Sequence, residues 1–258
     1  MKQIVLVDSK GRKRIVSLTG GTVRVGQLGV LDTSRIDESS LGNVINVGDA
    51  EFLVLEPSLL DRIESIRRKA QIVLPKDAAA IVVNCDIRSG CTVVEGGSGS
   101  GALTIVLANF VRPHGKVISY EAREDFRRIA EENVKRAGML DACSLMAGDV
   151  INDVEERNVD AFVLDVPNPW EAIESAFRAL RPGGHLASYV PTMNQVEKTV
   201  RELRDRSFIE IRTIEILERE MVVGEMGTRP SFKMLGHTGY LTFARKVETP
   251  FRYRRTQP

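Results

Sequence analysis

The sequence predicts an α/β protein, a doubly wound parallel sheet preceded by a small β-rich domain over residues 1–70. Three observations predict it. Beyond residue 71, apolar β-type runs alternate with helical runs, the pattern of a parallel sheet with crossover helices. One of those runs enters a glycine-rich turn that opens a helix, where such sheets hold ligands beyond their strand ends. Before residue 70 the runs are short, β-type and broken by glycine, which suggests a small barrel or sheet module.

The N-terminal strands are expected at Ile4–Val7, Arg14–Leu18, Gly21–Val25 and Glu51–Leu55. Pro57-Ser58 then opens a helical linker with Leu59, Leu60, Ile63 and Ile66 on one face, ended by Arg67-Arg68-Lys69, where cations suit a helix C-terminus. In the second domain, residues 71–258, Thr92–Glu95 is a strand and Ala102–Phe110 a helix. Lys116–Glu121 is a strand, Glu124–Ala137 a helix stopped by Gly138, and Cys143–Met146 a short strand. Val159–Val166 is a strand and Trp170–Leu180 a helix, broken by Arg181-Pro182-Gly183-Gly184 before a strand at His185–Val190. Asn194–Arg206 is a helix, and Ile209–Leu217 and Gly239–Lys246 close the chain as strands.

Composition excludes several classes. The 258 residues are 43% hydrophobic and 28% charged, as in a folded globular protein. No apolar run reaches the ~18 residues that span a bilayer, and Asp8 cuts the N-terminal apolar stretch too early for a signal peptide. A cytoplasmic protein with no membrane partner is therefore expected. Cys85, Cys91 and Cys143 form no Cys-x-x-Cys pair, Cys85 and Cys91 read as small buried residues, and three scattered histidines make no metal site. The net charge is +1, against the basic excess usual for nucleic-acid partners, but its distribution is uneven. Residues 1–70 hold 11 basic and 9 acidic residues, 71–200 hold 13 and 18, and 201–258 hold 12 and 8. An acidic middle lies between basic ends, which leaves RNA binding open through patches.

The chemistry concentrates in Glu95-Gly96-Gly97-Ser98-Gly99-Ser100-Gly101. Its glycines permit a tight turn and close backbone approach to a nucleotide. Glu121 ends the next strand, where an acid can accept from both ribose hydroxyls. The spacing Gly97-x-Gly99-x-Gly101 differs from the dinucleotide fingerprint Gly-x-Gly-x-x-Gly, although a dehydrogenase-like Rossmann domain is the alternative. It resembles motif I of class I methyltransferases, which bind S-adenosylmethionine, and Ala179–Gly184 is also typical of that superfamily. Asp165-Val166-Pro167-Asn168-Pro169-Trp170 follows the fourth strand and looks like the Asp/Asn-Pro-Pro-aromatic motif of enzymes that methylate base nitrogens. Asp165 could accept from an exocyclic amine or cap the following helix; Trp170 could stack on a base or cover the sheet.

These blocks, with Gln71–Ala79, Ser119–Arg123 and His237-Thr238-Gly239-Tyr240, recur in this order in one family. Over nearly its whole length the chain resembles the archaeal and bacterial tRNA (adenine-N1)-methyltransferases, the TrmI group, which is related to a eukaryotic catalytic subunit. The resemblance implies a Rossmann-like, S-adenosylmethionine-dependent class I methyltransferase domain over 71–258, with the N-terminal domain aiding RNA binding. It implies methylation of N1 of T-loop adenosine 58 in tRNA, in archaeal relatives also 57, by a homotetramer. Carried over, Glu95, Gly97, Gly99, Ser100, Gly101, Ala102, Leu103, Glu121 and Asp149 would hold the cofactor, with Gln71 near its methionine end. Asp165 would border the cofactor as the catalytic carboxylate. The chain departs from relatives at Gly96, where Ala is frequent, and at Leu74, where many have His or Tyr.

Candidate tRNA contacts are Trp170, Arg229, His237, Lys13, Arg14 and Arg254, each of which has a structural or solvated alternative. Competing functions are a corrin-type small-molecule methyltransferase, a protein methyltransferase of the isoaspartyl type and a non-catalytic tRNA-binding subunit. The first would not need the N-terminal domain. The Asp-x-Pro-x-Pro block argues against the second, and intact Gly97, Gly99, Gly101, Glu121 and Asp165 argue against the third.

Overall fold

The computed structural model describes residues 2–26, 29–225 and 227–249. Contacts group the chain into two units, residues 1–67 and 68–258.

The first unit holds β1 (Gln3–Asp8), β2 (Lys13–Ser17), β3 (Thr22–Arg24), β4 (Val30–Asp32), β5 (Val44–Val47), β6 (Ala50–Leu55) and α1 (Leu59–Glu64). Four strands form an antiparallel sheet in the order β2-β1-β6-β5, and β3 pairs with β4. Alternation along β1 and β6 turns Ile4, Leu6, Phe52 and Val54 into one core. The strands β4 and β5 had no signal in the sequence because three or four residues are too few to show alternation. Ser58 and Asp61 form a capping box at the start of α1, with Ser58 Oγ accepting from Asp61 N at 3.1 Å. Two expectations for this helix fail. It ends at Glu64, so Arg67-Arg68-Lys69 stand past its C-terminus, and a six-residue helix is too short to turn Leu60 inward, which leaves it 45% exposed.

The second unit begins with α2 (Pro75–Asn84), β7 (Thr92–Gly96), α3 (Ala102–Val111), β8 (Lys116–Glu121), α4 (Glu124–Arg136), β9 (Cys143–Ala147) and β10 (Val159–Leu164). It continues with α5 (Ile173–Ala179), β11 (Leu180–Val190), α6 (Met193–Asp205), β12 (Phe208–Glu215), β13 (Met221–Gly224), β14 (Gly227–Pro230) and β15 (Tyr240–Lys246). Seven strands form one sheet in the order β12-β15-β11-β10-β7-β8-β9. The sheet is not wholly parallel: β15 runs antiparallel to both β11 and β12, and the segment that joins it to β12 carries the β13–β14 hairpin in place of a crossover helix. The strand order reverses between β7 and β10, which places a crevice at their carboxyl ends.

Helix α3 is buried on nearly every side, whereas α4 turns Phe126, Ala130 and Val134 inward and carries Glu124 ion-paired to Arg127 and Arg128 outside. Three boundaries differ from expectation. The run Trp170–Leu180 is split into a 3₁₀ turn at Pro169–Ala172 and the shorter α5. Residues Arg181–Gly184 do not precede the strand but lie within β11, where a register slip opposite Asp160 takes up the extra residues. Strand β10 stops at Leu164, short of the expected Val166, and the bond from Asp165 N to Gly96 O at 2.9 Å is the last rung of its pairing with β7. The sequence reading missed α2, although Pro75 suits a first helical position, and also the exposed β13–β14 hairpin.

All three cysteines are free and buried. Among the described residues no helix is long and apolar enough to cross a membrane, and no group of three or more His, Cys, Asp or Glu could hold a metal ion. The core centres on Phe162 in β10, packed with Val94, Leu164, Leu186 and Leu203. Phe162→Ala should lower unfolding stability by about 3–5 kcal/mol, measured by urea denaturation, since the fully buried ring leaves a cavity that a sheet interior cannot collapse.

Candidate active site

A cavity of about 670 Å³ opens at the carboxyl ends of β7, β8, β10 and β11. Its floor is the turn after β7. Gly97 adopts φ +87°, and a Cβ there would stand 2.2 Å from the Asp165 carbonyl, so only a bare backbone passes beneath the loop after β10. Val150 side-chain atoms occupy the space a Cβ at Gly96 would take, the nearest at 2.7 Å.

Glu121 closes β8 and is 5% exposed. Its Oε2 accepts from Gly99 N at 2.9 Å, and its Oε1 accepts from Arg123 N and Nε, each at 3.2 Å. The carboxylate is thereby aimed across the turn. Asp149, just past the end of the neighbouring β9, accepts from Ile151 N at 2.9 Å while its own N–H bonds Asp153 Oδ2 at 2.6 Å. Gln71 lines the same cavity from the segment before α2.

Asp165 lines the cavity immediately after β10. Burial, and then the charge of Glu121, push its carboxyl up to about 7. Among the described residues nothing hydrogen-bonds that carboxyl. It is therefore a proton acceptor poised near neutrality, facing space.

The structure brings together Gln71, Gly97, Gly99, Glu121, Asp149 and Asp165. It does not bring Glu95 to the cavity. That carboxyl is fully buried beneath the turn, where Oε2 accepts from Thr104 Oγ1 and Ser119 Oγ, each at 2.6 Å, and burial pushes it up to about 7. Its side chain ties β7 to α3 and β8, a buttress in place of the expected cofactor contact. Ser100, Gly101, Ala102 and Leu103 also lie off the cavity lining: Gly101 is the N-cap of α3, Ala102 and Leu103 begin its first turn, and Ser100 precedes them. Ser100 is buried, with Oγ accepting from Lys69 N at 3.2 Å and its carbonyl from Asn133 Nδ2 at 2.8 Å.

The candidate tRNA contacts scatter. Trp170 does not line the cavity; it sits in the 3₁₀ turn with Lys198 Nζ 4.5 Å from its ring centre. Arg229 is exposed on β14, stacked over Phe232 at 4.4 Å. His237 bonds Glu215 Oε1 at 2.6 Å and the Pro191 carbonyl at 2.7 Å, and the Glu215 bond holds its pKa above the usual range. Lys13 pairs with Asp61 at 2.6 Å, and Arg14 is exposed on β2. Arg254 lies outside the described residues. Sequence reasoning missed Tyr189 and Gln195 on the wall; Gln195 Nε2 donates to Pro167 O at 2.7 Å, fixing the loop after β10. A single tyrosine at a strand end carries no spacing signal by which it could have been found.

The site fits S-adenosylmethionine by its donor set. Glu121 suits ribose hydroxyls, and the interior is acidic and lacks a free cation among its lining residues, as a sulfonium requires.

The family model for the tRNA methyltransferase complex GCD14 subunit matches residues 54–228. The chain is 36% identical to the tRNA (adenine(57)-N(1)/adenine(58)-N(1))-methyltransferase TrmI of Methanocaldococcus jannaschii, covering 95% of each. Among solved structures it is similar to a S-adenosylmethionine-dependent O-methyltransferase from Thermotoga maritima, with TM-score 0.83, 34% identity and coverage of 99% of this chain and 95% of that one. It is also similar to the tRNA (m1A58) methyltransferase TrmI from Aquifex aeolicus, with TM-score 0.77, 29% identity and coverage of 96% and 98%.

Replacing Gly97 by Ala should abolish cofactor binding in isothermal titration. The added Cβ must displace either the turn or the Asp165 backbone, since neither contact atom belongs to a flexible side chain.

Proposed function

The chain belongs to the TrmI family of tRNA (adenine-N1)-methyltransferases, and from that premise we propose that Asp165 is the catalytic carboxylate for methylation of N1 of adenosine 58 in the tRNA T-loop. The protein is an S-adenosylmethionine-dependent methyltransferase. The observation that supports the role of Asp165 is its cavity-facing carboxyl, held near neutrality, at the end of β10.

S-adenosylmethionine, when bound, supplies an electrophilic methyl group on a sulfonium. Glu121 would take the ribose hydroxyls, Asp149 the adenine amine and Gln71 the methionine end, with the backbone of Gly97 and Gly99 beneath. The substrate adenine carries an in-plane lone pair on N1, so no base has to act first. Methylation makes the ring cationic and shifts its acidity to the exocyclic amine. Asp165, ionised, stabilises that charge and takes the amine proton. The rest is orientation of a base flipped out of the tRNA elbow, at a cost of a few kcal/mol that wider tRNA contacts offset.

The N-terminal unit aids RNA binding in this reading, with Arg14 available and Lys13 engaged by Asp61 until displaced. The protein works in the cytoplasm as a homotetramer. Support for self-association comes from the β13–β14 hairpin and the segment after it, where Val223 is 79% and Phe232 84% exposed, an apolar surface suited to another copy.

Incubation with tritiated cofactor and bulk tRNA, followed by nucleoside analysis, should place label in 1-methyladenosine. Labelled tRNA without that nucleoside would reject the reading, and position mapping separates sites 57 and 58. Asp165→Ala should lose at least about a hundredfold in turnover while keeping cofactor affinity. Because the ionised form is required, kcat/KM should fall as pH drops through about 7, and this limb should vanish in Asp165→Asn. Val223→Lys with Phe232→Lys should shift the species seen by light scattering from tetramer to smaller forms; an unchanged mass would exclude this surface.

A further inference from the structure

Two sequence blocks have no part in the chemistry above, Pro75-Lys76-Asp77 and His237-Thr238-Gly239-Tyr240. The fold joins them. Pro75 starts α2, so Lys76 and Asp77 stand in its first turn. Asp77 is fully buried, and its two oxygens accept from Lys76 Nζ at 2.8 and 2.9 Å. Lys76 Nζ also donates to Thr238 Oγ1 at 2.7 Å, and that hydroxyl donates in turn to Asp77 Oδ2 at 3.0 Å. The hydroxyl accepts once and donates once, so it has a single orientation. Thr238 is held, and its carbonyl accepts from Tyr189 OH at 2.7 Å.

Tyr189 is where this network ends. Its ring lies so close to Gly239 that a Cβ there would stand 2.5 Å from ring carbon Cζ. The chain beside Thr238 is clasped again by His237, which bonds the carbonyl of Pro191, two residues beyond Tyr189. Both Tyr189 and Pro191 line the cavity. Leu164 pairs with Ser188 across β10 and β11, so Asp165 and Tyr189 are the next residues at adjacent strand ends.

The network is an expensive way to hold a fold. A lysine in the first turn of a helix opposes the helix dipole, and burying an ion pair commonly gains nothing over apolar packing. Its Tyr189 end gains definition instead. With its proton committed to a carbonyl, Tyr189 presents a ring in one orientation and no free acid toward the cavity.

We propose that Lys76, Asp77 and Thr238 are positioning residues that fix the ring of Tyr189 as the wall against which the substrate base is oriented toward Asp165. The inference rests on the tRNA methyl-transfer reading above. Steady-state transfer to tRNA would be measured at saturating cofactor for wild type, Thr238→Val, Thr238→Ser, Tyr189→Phe and the Val/Phe double variant, with cofactor affinity from calorimetry. Thr238→Val and Tyr189→Phe should each lower kcat by about tenfold or more, with cofactor affinity and tRNA KM within about twofold. Thr238→Ser should restore turnover, and the double variant should be no worse than the poorer single one, since both interrupt one chain of hydrogen bonds. Near-normal kcat in Thr238→Val, a loss that follows cofactor affinity, or multiplied losses in the double variant would overturn the proposal. If Thr238→Val does not fold, Tyr189→Phe, which removes the hydroxyl bonded to the Thr238 carbonyl, reads the last bond of the same chain, and near-normal kcat there overturns the proposal. Wild-type protein that never labels tRNA would instead sink the reading of the substrate.

Discussion

The site depends on one backbone crossing. At the switch point of the sheet, the turn after β7 and the loop after β10 touch without any side chain between them. Asp165 N bonds Gly96 O at 2.9 Å, and the Asp165 carbonyl fills the place a Cβ of residue 97 would need. On the other side Gly97 N bonds Tyr120 O at 2.8 Å. The turn is therefore pinned to β8 and β10 together. Glu121, next in β8, then reaches back to Gly99 N. Two cavity-lining carboxylates, Glu121 and Asp165, share one rigid frame, which is what a transfer reaction sensitive to ångström displacements requires.

That frame concentrates negative charge. Glu121 and Asp165 face the cavity and Glu95 lies below it, and burial raises both Glu95 and Asp165, each further raised by neighbouring carboxylates. Arg123 at the rim is already bonded to Glu121. Such a site favours a cationic ligand twice, once by direct attraction and again by relieving repulsion among the carboxyls. Glu95 answers a different need. Oε2 collects two hydroxyls while Oε1 is buried without a partner among the described residues, a group more comfortable neutral than charged. It braces the turn from beneath, and its charge state would respond to what occupies the space above.

The sequence made the long elements legible because periodicity is a local property. The strands β7, β8 and β10 and the helices α4 and α6 stand near where apolar spacing put them, and the glycine turn, Glu121 and Asp165 lie where a nucleotide fold needs them. What escaped was non-local. Nothing in Ile72–Pro75 announces that α2 will deliver Lys76 and Asp77 to Thr238, 161 residues from Asp77. Nothing in Glu95 itself tells a ligand contact from a buried brace, because the difference lies in whether Thr104 and Ser119 point at it. The Arg181–Gly184 run looked like a break because Pro and Gly usually are one; pairing across β10 absorbs them as a bulge.

Charge is the remaining test of consistency with an RNA partner. Several basic clusters visible in the sequence are partly neutralised in the fold: Arg12 by Asp8, Lys13 by Asp61 and Lys69 by Asp125. The protein is thus less basic in effect than its clusters suggest, and residues 71–200, which carry most of the cavity lining, are acidic. This suits base flipping. Phosphates are repelled from an acidic cavity mouth, whereas an extruded base is uncharged and becomes cationic only on methylation. The same field that disfavours a phosphate backbone favours a base as it gains positive charge on methylation.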